Sequence, residues 1–160
     1  DIIRGTPLLV QLLIMYYVVF GSYQFMPKIF TAAIAFGINA GAYIAEIIRG
    51  GIESIDKGQT EAARSLGFSN WQAMRLVILP QAFRNSLPPL ISEFIALLKE
   101  TSIVGWIGLS DIMRGADNIR FQTSTAFQSL FAAALIYLAL TAIFTRIMSK
   151  VERKLDNENN

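Results

Sequence analysis

The residues of this sequence that can do chemistry are polar side chains set into, or at the edge of, apolar stretches: Asn39, Arg84, Glu93, Lys99, Glu100, Thr101, Ser102 and Asp111. A polar or ionised group at membrane depth is expensive, so it faces a cavity, an ion pathway or a partner helix. A carboxylate such as Glu100 suits a cationic group, and the Thr101 and Ser102 hydroxyls suit hydrogen bonds to a polar solute. Asn39 either faces a pore or hydrogen-bonds a neighbouring helix. Arg84 and Glu93 read as paired or interfacial groups. For Lys99 to Ser102 a second reading stands beside binding, in which they form the outer end of a helix and nothing more.

Binding is the limit of that chemistry. The chain has neither histidine nor cysteine, so it offers no imidazole base, no Ser-His triad, no disulfide and no thiolate or imidazole metal ligand. Its scattered carboxylates form no nucleophile–base pair, which argues against a membrane-embedded enzyme. No G-x-x-x-x-G-K-[ST] loop occurs to cradle phosphates. A net charge of +2 supplies no basic patch for nucleic acid.

These groups must be held by membrane helices. Residues are 53% hydrophobic and 16% charged, against about 25% charged in soluble domains. Residues 5–27, 29–45 and 122–145 carry no charge, and 76–98 only Arg84 and Glu93. A span needs about 20 mostly apolar residues, which predicts four: about 7–26, 29–48, 73–98 and 124–146. The predicted fold is all-α, a polytopic membrane bundle in one domain over residues 1–160. Arg49, Lys57, Arg64 and Arg75 put the 49–75 loop in the cytoplasm, and Arg146, Lys150, Arg153 and Lys154 put the tail there too. The same count puts Arg4 inside and the Gly21–Lys28 turn outside. Thr6 followed by Pro7 is a predicted helix start. Gly37, Gly41 and Ala45 form a small-residue stripe that lets another helix close in, either within the chain or across a dimer.

The cytoplasmic loop carries the most specific signal. Asp56 with Gln59, and Ser69 with Gln72, resemble capping boxes. Good helix formers lie between, and Gly67 is a natural stop. The loop therefore holds its own helix of about ten residues, some 15 Å long. Lys57, Glu61 and Arg64 fall at i, i+4 and i+7 and predict a charged stripe with paired signs. Such a helix either docks in a groove of another protein or lies idle on the surface. In the next span, Pro88 and Pro89 are expected to break or kink the helix, as a hinge or as prolines that neighbouring helices tolerate.

Glu61-Ala62-Ala63, three residues, Gly67, nine residues, then Val77-Ile78-Leu79-Pro80 resembles the EAA signature of ABC importer permeases. Val77 in place of the usual Ile is its one departure. Arg4-Gly5-Thr6-Pro7-Leu8-Leu9-Val10-Gln11, Gly41-Ala42-Tyr43-Ile44-Ala45-Glu46-Ile47-Ile48-Arg49 and Leu97-Leu98-Lys99-Glu100-Thr101-Ser102-Ile103 are similar to the polar amino-acid uptake subfamily. Members of the subfamily have a further span ahead of the RGTP stretch, and this chain is expected to lack it.

The resemblance implies a multi-pass permease of a prokaryotic cell (inner) membrane, forming a pore with a second permease subunit as a homo- or heterodimer. It implies a separate ABC ATPase that holds ATP and Mg, so that this chain binds no cofactor. It implies an extracytoplasmic substrate-binding protein that delivers an amino acid. By the same resemblance, Glu61, Ala62, Ala63, Arg64 and Leu66 touch the ATPase and Gly67 sets the angle of the coupling helix. Asn39, Glu100, Thr101, Ser102 and Asp111 are the candidate substrate-binding residues. Glu100 and Asp111, with no comparable basic run nearby, point to a cationic amino acid. The alternatives are glutamine, glutamate or another polar solute, and, outside active transport, a passive channel, which would need no ATPase docking site.

Overall fold

The computed structural model describes residues 2–23 and 25–157, with side chains up to residue 152. The Arg153 and Lys154 side chains, counted above in the basic tail, lie outside the described ones. All regular structure among the described residues is helical. The helices are α1 (Leu8–Ile14, continued as a π-helical turn Met15–Val19), α2 (Lys28–Glu53), α3 (Lys57–Ser65), α4 (Asn70–Ala73), α5 (Leu79–Glu100), α6 (Ile112–Thr123) and α7 (Ala126–Asn157). A π-turn, Met74–Ile78, makes α4 and α5 continuous, and a 3-10 segment, Thr101–Ile107, follows α5.

The chain divides into two compact units, residues 43–93 and the remainder. In the larger unit, Leu8 and Leu12 of α1 meet Ala32, Ala35 and Phe36 of α2, and Ile107 closes the cluster. Small residues on α2 let α1 approach closely. Phe94 and Phe144 join α5 to α7 edge to face at 5.7 Å, and α6 folds back on α7. Lys28–Glu53 and Ala126–Glu152 are both long and apolar enough to cross a bilayer. Phe127, Phe131 and Leu138 of α7 are exposed, as side chains facing lipid are.

Several expectations change. α1 starts one residue late, with Pro7 at the cap and no side-chain bond to it. The Thr6 hydroxyl donates to the Ile2 and Ile3 carbonyls and accepts from the Gln11 amide at 2.7 Å, so it is not free to cap. Helical structure in α1 ends at Val19, and residues 20–23 and 25–27 form turns, bends and irregular backbone, short of the helix expected to 26. Pro88 and Pro89 do not end α5. The Gly37, Gly41 and Ala45 stripe is exposed, and a methyl group on Gly37 or Gly41 would meet no atom within 4 Å. Packing of that stripe inside the chain is therefore not found among the described residues. Helix α6 was not foreseen.

Candidate functional site

Helix α3 is bounded at both ends by its own sequence. The Asp56 carboxylate accepts from the Gly58 N–H at 2.7 Å, one residue short of the Gln59 N–H a full box would use. At the other end the Phe68 N–H reaches the Ala63 carbonyl and the Gly67 N–H reaches the Arg64 carbonyl, at 3.1 and 3.0 Å. That pair of bonds is a Schellman stop, and it requires the left-handed backbone that Gly67 adopts at φ +90°. Ser69 then opens α4 with a complete capping box: its hydroxyl accepts from the Gln72 N–H, and Gln72 Oε1 accepts from the Ser69 N–H at 2.8 Å. The predicted helix, stop and restart are all present. Both ends of the link between α3 and α4 are hydrogen-bonded, which fixes the angle of α3.

The outer surface of α3 presents Glu61, Ala62, Arg64 and, just past its end, Leu66, which is 79% exposed. Ala63 corrects the expectation that it touches a partner: it is 3% exposed and packs inward. Lys57, Glu61 and Arg64 are all exposed, and no ion pair joins them among the described residues. Exposed pairs of this kind contribute only about 0.2–0.5 kcal/mol, too little to hold two long side chains together. Trp71 on α4 adds a second exposed apolar group, 68% accessible.

The VILP end of the motif has its own geometry. Proline lacks an N–H and its ring clashes with the carbonyl four residues back. The helix meets Pro80 by widening into the π-turn Met74–Ile78, where the Leu79 N–H bonds the Met74 carbonyl. Gln81 Nε2 donates to the Val77 carbonyl at 2.8 Å. Ala73 and Ile78 are buried on either side of the turn.

The candidate substrate residues lie in the larger unit and do not share one cavity. Asn39 is 3% exposed, and its Nδ2 donates to Gln11 Oε1 at 3.1 Å. Of its two expected roles, the helix–helix bond is the one found. Gln11 Nε2 in turn donates to the Ile3 carbonyl at 2.6 Å, tying the first turn to α2 through α1. Asp111 caps α6, accepting from the Met113 and Arg114 N–H groups, and lies 3.4 Å from the Tyr137 hydroxyl. Thr101 donates to the Leu98 carbonyl at 2.7 Å and lines an apolar hollow with Ala32, Phe36 and Val104. Ser102 lines a different groove, with Trp106, Arg114, Asp117 and Arg120. Glu100 ends α5 with an exposed side chain. No group of three or more acidic residues able to hold a metal ion occurs among the described residues.

The charged residues of α6 were missed in the sequence. The signal was there: Asp111 is an N-cap residue, and Arg114, Asp117 and Arg120 follow at three-residue spacing.

A helical membrane bundle with a capped loop helix ending in the EAA–Gly–VILP pattern matches, over residues 1–157, the family described as "Binding-protein-dependent transport system inner membrane component". The chain belongs to this family. It is 43% identical to the arginine transport system permease protein ArtQ of Bacillus subtilis (strain 168), covering 99% of this chain and 73% of that protein. It is 40% identical to the glutamine transport system permease protein GlnP of Escherichia coli (strain K12), over 97% of this chain and 72% of the relative. Among solved structures it is similar to a chain in a "Crystal structure of an amino acid ABC transporter with histidines", at 47% identity and a TM-score of 0.87, over 96% of this chain and 72% of the other.

In this permease the smaller unit also shows how α2 and α5 are joined. Gly51 lies against α5 so closely that a Cβ there would fall 2.0 Å from Ser86 Oγ and 2.9 Å from the Ala82 carbonyl oxygen. Asn85 Nδ2 donates to Ser54 Oγ at 2.8 Å beside it. On the outer face of α2, Arg49 is clamped between Glu46 and Glu53, one turn away on either side. The Arg49 guanidinium donates to both carboxylates.

Proposed function

We propose that this chain is the pore-forming permease of an ATP-driven amino-acid importer and couples to a separate ATPase through α3. Four spans, near 7–26, 29–48, 73–98 and 124–146, would place α3 and the basic tail in the cytoplasm. The observation that carries the coupling role is the rigid presentation of α3: Glu61, Ala62, Arg64 and Leu66 stand exposed on a helix whose two ends are fixed by Asp56 and Gly67. An apolar Leu66 among charged neighbours suits a groove on a partner. Gly67 and Ala63 would position the helix without touching that partner. ATP and Mg belong to the ATPase. The exposed Gly37, Gly41 and Ala45 stripe suits a second permease subunit.

The test is co-purification of the ATPase with wild-type permease, with Glu61→Lys and with Leu66→Asp. The wild type is expected to retain the ATPase, and each variant to lose about tenfold or more in association, since one well-placed interface residue is worth that much. Wild-type permease that brings down no ATPase would sink the reading.

The transported class is an amino acid, and we favour a cationic one. Glu100 is the candidate carboxylate that no described group engages, which leaves it free for an ammonium or guanidinium. Asn39 and Asp111 contribute indirectly, through the bonds they hold. The arginine-named relative supports this choice and the glutamine-named relatives support the polar neutral alternative. Proteoliposomes holding the whole importer are expected to accumulate arginine, with Glu100→Gln lowering that uptake about tenfold or more, as loss of a charge-assisted bond does. Accumulation of glutamine without arginine would reject the cationic class and leave the amino-acid importer in place.

A further inference from the structure

Resting on the permease reading, we propose that Gln81 is a positioning residue for coupling. Its side chain holds the π-turn that keeps the buried face of α4, where α3 packs, in phase with the face of α5 that packs on α2. Movement of α3 then passes into α5 without a change of register.

Helix α3 packs on α4 and on the π-turn, whose buried residues are Ala73 and Ile78. Helix α5 buries Ala82 and Ser86, the pair that meets Gly51 of α2. These four residues are spaced five, four and four apart. Steps of four keep to one face of an α-helix. A step of five does not, because at about 100° per residue it ends some 140° round the axis. In the π-turn the backbone bond spans five residues instead of four, as from the Leu79 N–H to the Met74 carbonyl, and one residue is absorbed. Ile78 therefore follows Ala73 as though it stood four residues on, and the four side chains form one stripe. The same sequence wound as plain α-helix would turn the α4 face away from the α5 face by about 100°.

Pro80 starts the distortion, and Gln81 fixes where it sits. Proline supplies no N–H to the Leu76 carbonyl four residues back. Neighbouring side chains, water, or a local 3-10 or π adjustment can each repair such a gap, so proline alone does not choose between them. Gln81 Nε2 donates at 2.8 Å to the next carbonyl, that of Val77 inside the turn. A side chain inserted into the ladder is one of the few causes that hold a helix out of its regular form. The Gln81 amide is also half-buried, where an unbonded polar group is costly, so the side chain has reason to stay on that carbonyl.

The test uses the whole importer in proteoliposomes and reads amino acid accumulated per ATP hydrolysed. Gln81→Met keeps the length of the side chain and removes the donor, whereas Gln81→Lys keeps a donor. Gln81→Met is expected to lower the ratio about threefold or more, the worth of one such hydrogen bond, with the ATPase still bound. Gln81→Lys is expected to recover most of that loss. The chain has no cysteine, so spin labels at Thr60→Cys on α3 and Phe83→Cys on α5, both exposed positions, report the distance between the two helices. One narrow distribution is expected for the wild type and Gln81→Lys, and a broad one for Gln81→Met. Deletions check the register. Removing Leu76 takes out the absorbed residue and should leave a monodisperse permease, whereas removing Phe83 turns the rest of α5 by about 100° and should not. A Gln81→Met importer with the wild-type ratio and distance distribution overturns the proposal. So does loss of folded protein in both Gln81 variants, which would make the side chain a folding element, or in the Leu76 deletion. A wild-type importer that accumulates no amino acid, or holds no ATPase, overturns the permease reading instead.

Discussion

A Gly51→Val permease is expected to fail to accumulate as a folded membrane protein. The cause is space, not backbone conformation. A Cβ at this position would overlap Ser86 Oγ at 2.0 Å and press on the Ala82 carbonyl oxygen at 2.9 Å. A serine hydroxyl can rotate away, but a helix carbonyl cannot move without shifting α5. Overpacking of this kind costs roughly 1–3 kcal/mol, and more where backbone must yield. It would also pull apart the Ser54–Asn85 bond beside it. Gly50 is the control, since a Cβ there meets nothing within 4 Å. Gly50→Ala should therefore be tolerated, and should add up to about 1 kcal/mol of helix propensity. The measurement is monodisperse yield and thermal unfolding in detergent for Gly50→Ala, Gly51→Ala and Gly51→Val. Pairing Gly51→Ala with Ser86→Gly should recover part of the loss, because it removes the nearer of the two obstacles. Equal behaviour of the Gly50 and Gly51 variants would show that α2 and α5 do not approach as described.

The difference between those adjacent glycines could not be read from the sequence, because it depends on which one faces α5. What could be read was local. The stop at Gly67 and the box of Ser69 with Gln72 need only residues three to five apart, and both are present. The long apolar helices α2 and α7 were legible for the same reason. Thr6 was misread because three groups compete for its hydroxyl. Ala63 was misread because the motif was taken as one contact surface. At about 100° per residue it lies some 200° round from Glu61, and the helix period alone would have turned it inward. Helix α6 was lost because its charges read as a loop between two apolar stretches. The convergence of polar residues on a substrate site was the least legible part. Asn39 and Asp111 look alike in the sequence as polar groups near apolar runs, yet each is engaged by a partner distant in the chain, Gln11 in one case and Tyr137 in the other.

Gly67→Val is expected to uncouple the importer while leaving the membrane bundle folded. Here the surroundings are open, with no atom within 4 Å of a Cβ, and the demand is wholly on the backbone at φ +90°. A left-handed conformation costs an L-residue on the order of 1–2 kcal/mol, and a β-branched side chain is worst placed to adopt it. The cheaper course for valine is to leave that region, which breaks the bonds from Phe68 to Ala63 and from Gly67 to Arg64. Helix α3 would then fray from its C-terminal end, and Leu66 would no longer be presented at a fixed angle to α4. Asparagine enters the left-handed region more readily than other non-glycine residues, so Gly67→Asn should be intermediate. The measurement is ATP-driven uptake per ATPase bound in proteoliposomes, beside thermal unfolding of the purified permease. Uptake is expected to fall in the order glycine, asparagine, valine, with unfolding temperature changing far less than it does for Gly51→Val. Were valine to support full uptake, the stop at Gly67 would be a local detail of the loop and the fixed angle of α3 would not be what transmits the ATPase's movement.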